Sequence, residues 1–96
     1  MKAAVAADAT KLEQIPNVGK RIAADLRLIG IESPAELSGQ DAYVLYDRVS
    51  AATGMRQDPC LLDVFISAVR FVEGGPPVPW WAFTAERKRA LAGRPA

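Results

Sequence analysis

Helix-breaking residues divide this chain of 96 residues into short segments, none of which alternates convincingly between apolar and polar side chains as a strand does. The breaks lie at 16–19, Gly30, Gly39, Gly54 and 74–79. Between them, apolar residues recur at spacings of three and four, which is the period of a helix buried along one side. A chain of this length builds one hydrophobic core. The sequence therefore predicts a compact, all-α domain of about five helices.

Local start and stop signals set the bounds of the predicted helices. Ser33 and Glu36 form a capping-box pattern around Pro34, and Asp41 and Asp58 are the expected N-caps of two further helices. Apolar side chains cover most of the circumference of the last helix, which predicts that it is the most buried element. The predicted helices span approximately residues 3–13, 20–30, 33–39, 41–54 and 58–72.

The chain divides into a predicted core and a C-terminal extension. Residues 1–73 form the core, and 74–96 form a proline-rich connector, a Trp-containing segment and a short basic helix packed on or flanking that core.

Trp80 and Trp81 are expected to cover the core rather than stack on bases. Cys60 is expected to fill space in the core. Asp47 and Asp63 are expected to be solvated.

With one cysteine and no histidine, the chain lacks the residues that several chemistries require. A disulfide framework, the common zinc sites and Ser-His-Asp or Cys-His catalysis are excluded. We therefore expect no enzymatic activity, no catalytic or metal-ligating residue, and no cofactor. The longest apolar run falls far short of the ~20 residues of a membrane span, and no secretory signal is recognisable. We expect a cytoplasmic protein without a membrane partner.

Charge is distributed unevenly, although the net charge is only +1. Residues 17–30 carry a local charge of +2, residues 84–96 a local charge of +3, and the rest of the chain −4. Two small basic islands on an acidic body are compatible with local phosphate contacts. For residues 84–96, a solvated face is the favoured interpretation.

The segment that starts at Leu12 has two apolar residues, a tight turn, and then a helix with a small residue where two helices would cross. The matching residues are Leu12 and Ile15 at the apolar positions, Val18 at the buried apex, Gly19 in the turn and Ala23 at the crossing. The segment resembles the helix-hairpin-helix motif. This resemblance implies contact with the nucleic-acid backbone that does not depend on base sequence.

The turn of this segment also suits a phosphate on physical grounds. A helix N-terminus presents free N–H groups and the positive end of the helix dipole, and a glycine there lets a phosphodiester approach closely. Basic residues in the first turn lower helix stability slightly unless an anion is present, which indicates a function for Lys20 and Arg21. The candidate DNA-backbone contacts are Asn17, Val18, Gly19, Lys20 and Arg21.

Asn17 stands where helix-hairpin-helix proteins have the first turn glycine. Asparagine reaches positive φ more readily than other non-glycine residues, so the turn can form. Whether its side chain crowds the phosphate path is left open, as is the choice between DNA contact and a purely structural hairpin. The motif in general also binds a monovalent cation through hairpin carbonyls, and no side chain of this sequence reports such an ion.

A second, degenerate hairpin is predicted around Gly39, between the third and fourth helices. Two such hairpins packed with pseudo-twofold symmetry form the five-helix SAM-like fold. The second loop contains Asp41 and no basic residue, so we assign it to the scaffold rather than to DNA contact.

The order of features along residues 11–83 is more specific than the hairpin alone. After the hairpin, the characteristic segments are 29–33, 36–37, 45–46, 53–58, Cys60, 64–65 and 80–81. The whole series resembles the small bacterial family of pathogenicity-locus or mitomycin-resistance proteins, related to the C-terminal domain of the competence regulator TfoX. The resemblance implies a helix-hairpin-helix fold and a link to DNA damage, and it supplies a fold more than a function.

Two functions from different classes follow from these observations. The first is a non-enzymatic helix-hairpin-helix module that makes weak, sequence-independent contacts to the DNA backbone, as an accessory to DNA processing or regulation. The alternative is a protein–protein interaction module or small homodimer, in which the hairpin is structural and the Trp-containing segment is the contact surface.

Overall fold

Four α-helices account for most of the regular structure in this computed structural model, which describes residues 2–93. They are α1 (Lys20–Leu28), α2 (Ala42–Thr53), α3 (Pro59–Val72) and α4 (Thr84–Ala92). Short 3₁₀ helices lie at Ala6–Asp8, Leu12–Gln14, Pro34–Leu37 and Trp80–Phe83. The described residues contain no strand, so the prediction of an all-α chain is confirmed.

Side-chain caps begin the two longest helices, as predicted. The Asp41 carboxylate accepts a hydrogen bond from the backbone N–H of Tyr43 (2.8 Å), and Asp58 accepts one from that of Cys60 (2.8 Å). Helix α2 ends at Gly54, whose φ of 72° lies in the left-handed region that favours glycine. These start and stop signals act within a few residues, which is why they are readable in the sequence.

The predicted helix over residues 3–13 is wrong, because this segment forms two 3₁₀ turns separated by extended residues. The N–H of Ala3 donates to the carbonyl of Gln14 (2.8 Å), which folds the segment back on itself. The Gln14 side chain also accepts hydrogen bonds from the N–H groups of Thr10 (2.8 Å) and Lys11 (2.9 Å). A short helix without a buried face is marginal in water, and these contacts stabilise the alternative.

The predicted helix over residues 33–39 is a 3₁₀ helix, Pro34–Leu37, and the Ser33 side chain does not cap it. The Glu36 carboxylate instead accepts a hydrogen bond from the N–H of Glu32, at 3.1 and 3.2 Å to its two oxygens. Gly39, which has a positive φ, follows two residues after Leu37 and leaves too few residues for further helical turns. Predicted helices one and three are therefore 3₁₀ turns that brace the α-helices.

Helix α3 is the central element of the core, as predicted. Ten of its 14 residues are buried, and Phe65 and Phe71 are among the largest fully buried side chains of the described chain. Its neighbours are α2, α4 and three of the 3₁₀ helices: Ala6–Asp8, Pro34–Leu37 and Trp80–Phe83. Helix α1 packs on α2.

The expectation that Asp63 is solvated is wrong. Its side chain is 0% exposed, and its carboxylate accepts hydrogen bonds from Thr84 Oγ1 (2.7 Å) and Arg87 Nε (2.9 Å). Arg87 is itself only 12% exposed. Burial of a carboxylate is unfavourable alone, and a paired guanidinium compensates for it. This ion pair joins the first half of α4 to the second turn of α3.

The two tryptophans differ in exposure. Trp80 is half-buried and packs against the core as expected. The expectation that Trp81 also covers the core is wrong, because this residue is 63% exposed. Their rings meet edge to face, with centroids 5.6 Å apart.

Cys60 is exposed in the first turn of α3, which corrects the expectation that it fills the core. Its hydrogen bond with the Asp58 carboxylate raises the pKa of the thiol.

Among the described residues, no helix combines the length and the apolar character needed to cross a membrane. The end of the predicted C-terminal basic island, including Arg94, lies outside the described residues.

Candidate functional site

The turn that precedes α1 and the first turn of that helix hold the five predicted contact residues. Asn17 adopts a φ of 72° and is the one non-glycine residue with positive φ in the described chain. Val18 is fully buried and anchors the turn to the core. Gly19, Lys20 and Arg21 are exposed. The structure thus places two of the five residues toward the interior and three toward solvent.

The side chain of Asn17 points into the protein. Its amide nitrogen donates hydrogen bonds to Ser67 Oγ (3.0 Å) and to the backbone carbonyl of Val78 (2.8 Å). Ser67 is buried on α3, and Val78 belongs to the proline-rich connector. Asn17 therefore ties the hairpin to α3 and to the connector, and its side chain lies away from the exposed face of the turn.

We expect Asn17→Gly to destabilise the protein, although glycine relieves the cost of a positive φ. The variant loses two hydrogen bonds, each worth about 0.5–1.5 kcal/mol, against a gain of less than ~1 kcal/mol from the backbone. The free energy of unfolding, measured by urea titration, should fall by about 1 kcal/mol. In a Ser67→Ala background the effect should be smaller. A variant more stable than wild type would show that backbone strain dominates at this position.

The carbonyl oxygens of the hairpin converge on one ammonium group. Lys2 Nζ donates hydrogen bonds to the backbone carbonyls of Glu13 (2.8 Å), Ile15 (3.1 Å) and Val18. A side chain of this protein therefore fills the set of carbonyls for which the helix-hairpin-helix resemblance implied a monovalent cation. The residues present do not fit a separate ion while Lys2 occupies the carbonyls, so a bound ion has no part in the proposed function.

Lys2→Met is expected to loosen the hairpin. Methionine keeps much of the side-chain length but removes three charge-assisted hydrogen bonds. Because Lys2 is partly exposed, we expect the free energy of unfolding to fall by about 1–2 kcal/mol, less than the full value of such bonds. Lys88→Met removes an exposed lysine of α4 and is the matched control. Equal urea midpoints for the two variants would contradict this role of Lys2.

The N-terminus of α1 has no side-chain cap, in contrast to α2 and α3. The first hydrogen bond of its helical ladder runs from the N–H of Ala23 to the carbonyl of Gly19 (2.9 Å). The N–H groups of Lys20, Arg21 and Ile22 precede this bond and have no acceptor among the described residues. Unsatisfied N–H groups at a helix start attract anions.

The basic side chains at this helix start are also unneutralised. Within residues 2–93, neither Lys20 nor Arg21 forms an ion pair, whereas Arg27, Arg70 and Arg87 each pair with a carboxylate. The positive charge of Lys20 and Arg21 therefore adds to the positive end of the α1 dipole.

Glu13, just before the turn, has its charge compensated. Its carboxylate accepts two hydrogen bonds from the Arg27 guanidinium, at 2.8 and 3.0 Å. These bonds lower the pKa of Glu13 from 4.5 to about 2. The pair spans the hairpin and leaves less negative charge beside the exposed turn.

The second predicted loop is engaged inside the fold. Gly39 adopts a φ of 80°, and its N–H donates to the Glu73 carboxylate at 2.7 Å. A carboxylate of this chain therefore occupies the place that a phosphate would need, which agrees with a scaffold role for this loop.

A groove of about 500 Å³ opens beside the exposed turn. Its lining includes Lys20 and Arg21 from the first turn of α1, Leu61 from the start of α3, and Trp80. The exposed thiol of Cys60 also lies in the lining. One concave surface thus combines basic predicted contact residues with an aromatic ring and a thiol.

Sequence reasoning missed the contacts of Lys2 and the position of Trp80 beside the hairpin, since both depend on residues far apart in the chain. Asp63 did have a signal, because it is an acidic residue in a helix that is apolar on nearly every side. Among residues 2–93, no group of three or more Cys, Asp or Glu side chains is arranged to hold a metal ion.

Comparison with known proteins gives one family. The model of the pathogenicity locus family, Cdd1, matches residues 5–89. The mitomycin resistance protein McrB of Streptomyces lavendulae is 50% identical over 86 residues, which cover 90% of this chain and 82% of that protein. No solved structure matches. The relation to TfoX stays a prediction. Because the family model and the relative both span most of its length, the chain belongs to the pathogenicity locus family.

Proposed function

We propose that the protein is a non-enzymatic helix-hairpin-helix module that contacts the DNA backbone weakly and without sequence preference, as an accessory to DNA processing or regulation. The observation that carries this proposal is the start of α1, where free N–H groups and the unpaired side chains of Lys20 and Arg21 meet at one exposed turn. A phosphate would accept from these donors and remove the repulsion between the basic side chains and the helix dipole.

Gly19 supports the same proposal. Its φ of −93° is open to any residue type, and a Cβ built on it would meet nothing within 4 Å. Neither backbone conformation nor packing inside the protein requires a glycine here. The close approach of an external group to the backbone would require one.

The inward orientation of Asn17 is a further support. Because its side chain bonds to Ser67 and Val78, it leaves the exposed face of the turn open to a phosphate. The substitution of the first turn glycine is therefore compatible with DNA contact.

We extend this proposal to the fold and to the context. The hairpin before α1 and the scaffold loop at Gly39 would be the two halves of a SAM-like arrangement, with 3₁₀ turns in place of two helices. The related Streptomyces protein is named for mitomycin resistance, and a link to DNA damage suits a module that binds DNA in the cytoplasm.

Binding of duplex DNA at two salt concentrations tests the proposal. We expect a dissociation constant on the order of 10⁻⁴–10⁻⁶ M at physiological salt. The logarithm of the binding constant should fall against log salt with a slope of about −1.8 for two phosphate contacts. Lys20→Ala with Arg21→Ala should reduce that slope by nearly two units for every base sequence. Lys88→Ala with Arg89→Ala makes the same change of charge on α4 and is the matched control.

The variant with both Lys20→Ala and Arg21→Ala should remain as stable as wild type or slightly more stable, because it removes positive charge from the positive end of the helix dipole. Loss of DNA binding therefore cannot be attributed to unfolding. If the hairpin and control variants bind equally, or if wild type does not bind at low salt, the hairpin is structural and the proposal fails.

A specific observation favours a second candidate, the interaction module or homodimer. Trp81 is 63% exposed on the C-terminal segment, and large exposed aromatic side chains are enriched at protein interfaces. Light scattering across a range of protein concentrations tests this candidate. A dimer that Trp81→Ser dissociates would support it, and a monomer at every concentration would contradict the homodimer.

A further inference from the structure

The groove beside the hairpin has the size and lining of a ligand site rather than of a flat backbone contact. Its volume of about 500 Å³ falls within the range of about 300–1,000 Å³ typical of small-molecule sites. We infer that it holds an unpaired nucleotide of single-stranded DNA, with the phosphate at Lys20 and Arg21 and the base against Trp80. This inference rests on the proposed function and names the form of DNA that the site takes.

The apolar part of the groove suits the face of a base. Ile22, Leu61, Val64 and Trp80 contribute to it, and Trp80 is half-buried, so that its ring is held by the core while part of it remains accessible. Bases stack on aromatic side chains in proteins that bind single strands, and this contact tolerates any base. In a duplex the faces of the bases are covered by their neighbours.

The polar lining of the groove contains both hydrogen-bond donors and hydrogen-bond acceptors. Lys20 and Arg21 are donors for a phosphate, whereas Asp25, Asp58 and Gln57 offer oxygen atoms. Carboxylates repel a phosphate and accept hydrogen bonds from the N–H groups on the pairing edge of a base. These N–H groups are used by the opposite strand in a duplex, so the acceptors favour a nucleotide that is not paired.

One of these acceptors, the side-chain amide of Gln57, is held in a fixed orientation. The residue is only 9% exposed, and its side-chain nitrogen donates to Thr53 Oγ1 (2.9 Å). The Thr53 hydroxyl donates its own proton to the Val49 carbonyl (2.9 Å), so it accepts from the amide, and the nitrogen therefore lies at this end. The side-chain oxygen has no hydrogen bond within the described residues, and the residue lines the groove. A buried amide held in this way offers an acceptor at little cost in side-chain entropy.

Fluorescence anisotropy with a short single strand and with its blunt duplex tests the inference. We expect the full chain to bind the single strand more tightly than the duplex. Trp80→Leu should weaken single-strand binding by about 5- to 150-fold, the range of aromatic stacking, and leave duplex binding unchanged. Trp80→Phe keeps an aromatic platform and is the matched control, which should retain most of the affinity. Trp81 is unsuitable as a control because its ring touches that of Trp80.

A second measurement avoids substitution in the core. Cys60 is the single cysteine of the chain and lines the groove, so a thiol reagent reports on groove access in the wild-type protein. At a concentration that occupies about 80% of the protein, single-stranded DNA should slow alkylation of Cys60 about 5-fold, because only the unoccupied fraction reacts, whereas duplex DNA should not. Because the pKa of the thiol is raised, the reaction is run at alkaline pH.

The outcomes separate this inference from the proposed function. Single strand and duplex could bind equally, with both requiring Lys20 and Arg21 but not Trp80. This result would support the proposed backbone contact and contradict the nucleotide site. Full reactivity of Cys60 in the presence of bound single strand would also overturn the nucleotide site. If neither form of DNA binds, both the site and the proposed function are wrong.

Discussion

Phe65→Ala is expected to lower the free energy of unfolding by about 3–5 kcal/mol. Phe65 lies in the middle of α3 and is fully buried, and α3 contacts more of the other elements than any other helix. Removal of its ring takes away apolar burial and leaves a cavity that the surrounding helices fill only in part. A small domain has a total stability of roughly 5–15 kcal/mol, so a large fraction of it would be lost.

Urea unfolding measures this loss directly, with Leu28→Ala as the matched control. Leu28 is 57% exposed at the end of α1, and its truncation should change stability by less than about 0.5 kcal/mol. A loss below about 1 kcal/mol for Phe65→Ala would show that the site does not face the core, and would contradict the central position of α3.

Asp63→Ala is expected to cost about 3–5 kcal/mol, for a different reason. The variant leaves the Arg87 guanidinium, which is 12% exposed, without the carboxylate that compensates its charge. Thr84 also loses its acceptor. The first turn of α4 should therefore separate from α3, and limited proteolysis should cleave within residues 74–93 before the rest of the chain.

Glu86→Ala is the matched control, because it also removes a carboxylate paired with an arginine of the same pair of helices. The pair of Glu86 with Arg70 is exposed, with side chains 36% and 51% accessible, and such pairs contribute about 0–1 kcal/mol. A double variant, Asp63→Leu with Arg87→Met, should regain most of the stability, since no charge is left unpaired. Equal losses for Asp63→Ala and Glu86→Ala would contradict the buried ion pair.

Part of the candidate site could be predicted from local sequence, and part of it could not. The sequence predicted a turn with Val18 buried at its apex and a helix that begins with Lys20 and Arg21, and the structure has Val18 buried and Lys20 and Arg21 exposed. It did not predict that Asn17 bonds to Ser67 and Val78, nor that Trp80 lies beside the turn. Those contacts join residues that are many positions apart, and a motif contains no information about them.

The sequence alone determined the fold class, the two longest helices and the element at the centre of the core. Asp41, Asp58 and Gly54 act on backbone groups within a few residues, so their effect does not depend on the rest of the fold. The apolar surface of α3 had to be buried wherever the chain placed it.

Only the tertiary structure decided the fate of the residues whose local preference is weak or unfavourable. The alanine-rich residues before the hairpin have helix propensity, but without a buried face that propensity loses to the hydrogen bonds of Gln14. Asp63 is buried because Arg87 reaches it from a distant helix. Lys2 fills the hairpin carbonyls because the N-terminal segment folds back on the turn. For Asp63 and Lys2 the deciding energy comes from a partner that is distant in sequence, and only the folded chain brings the two together.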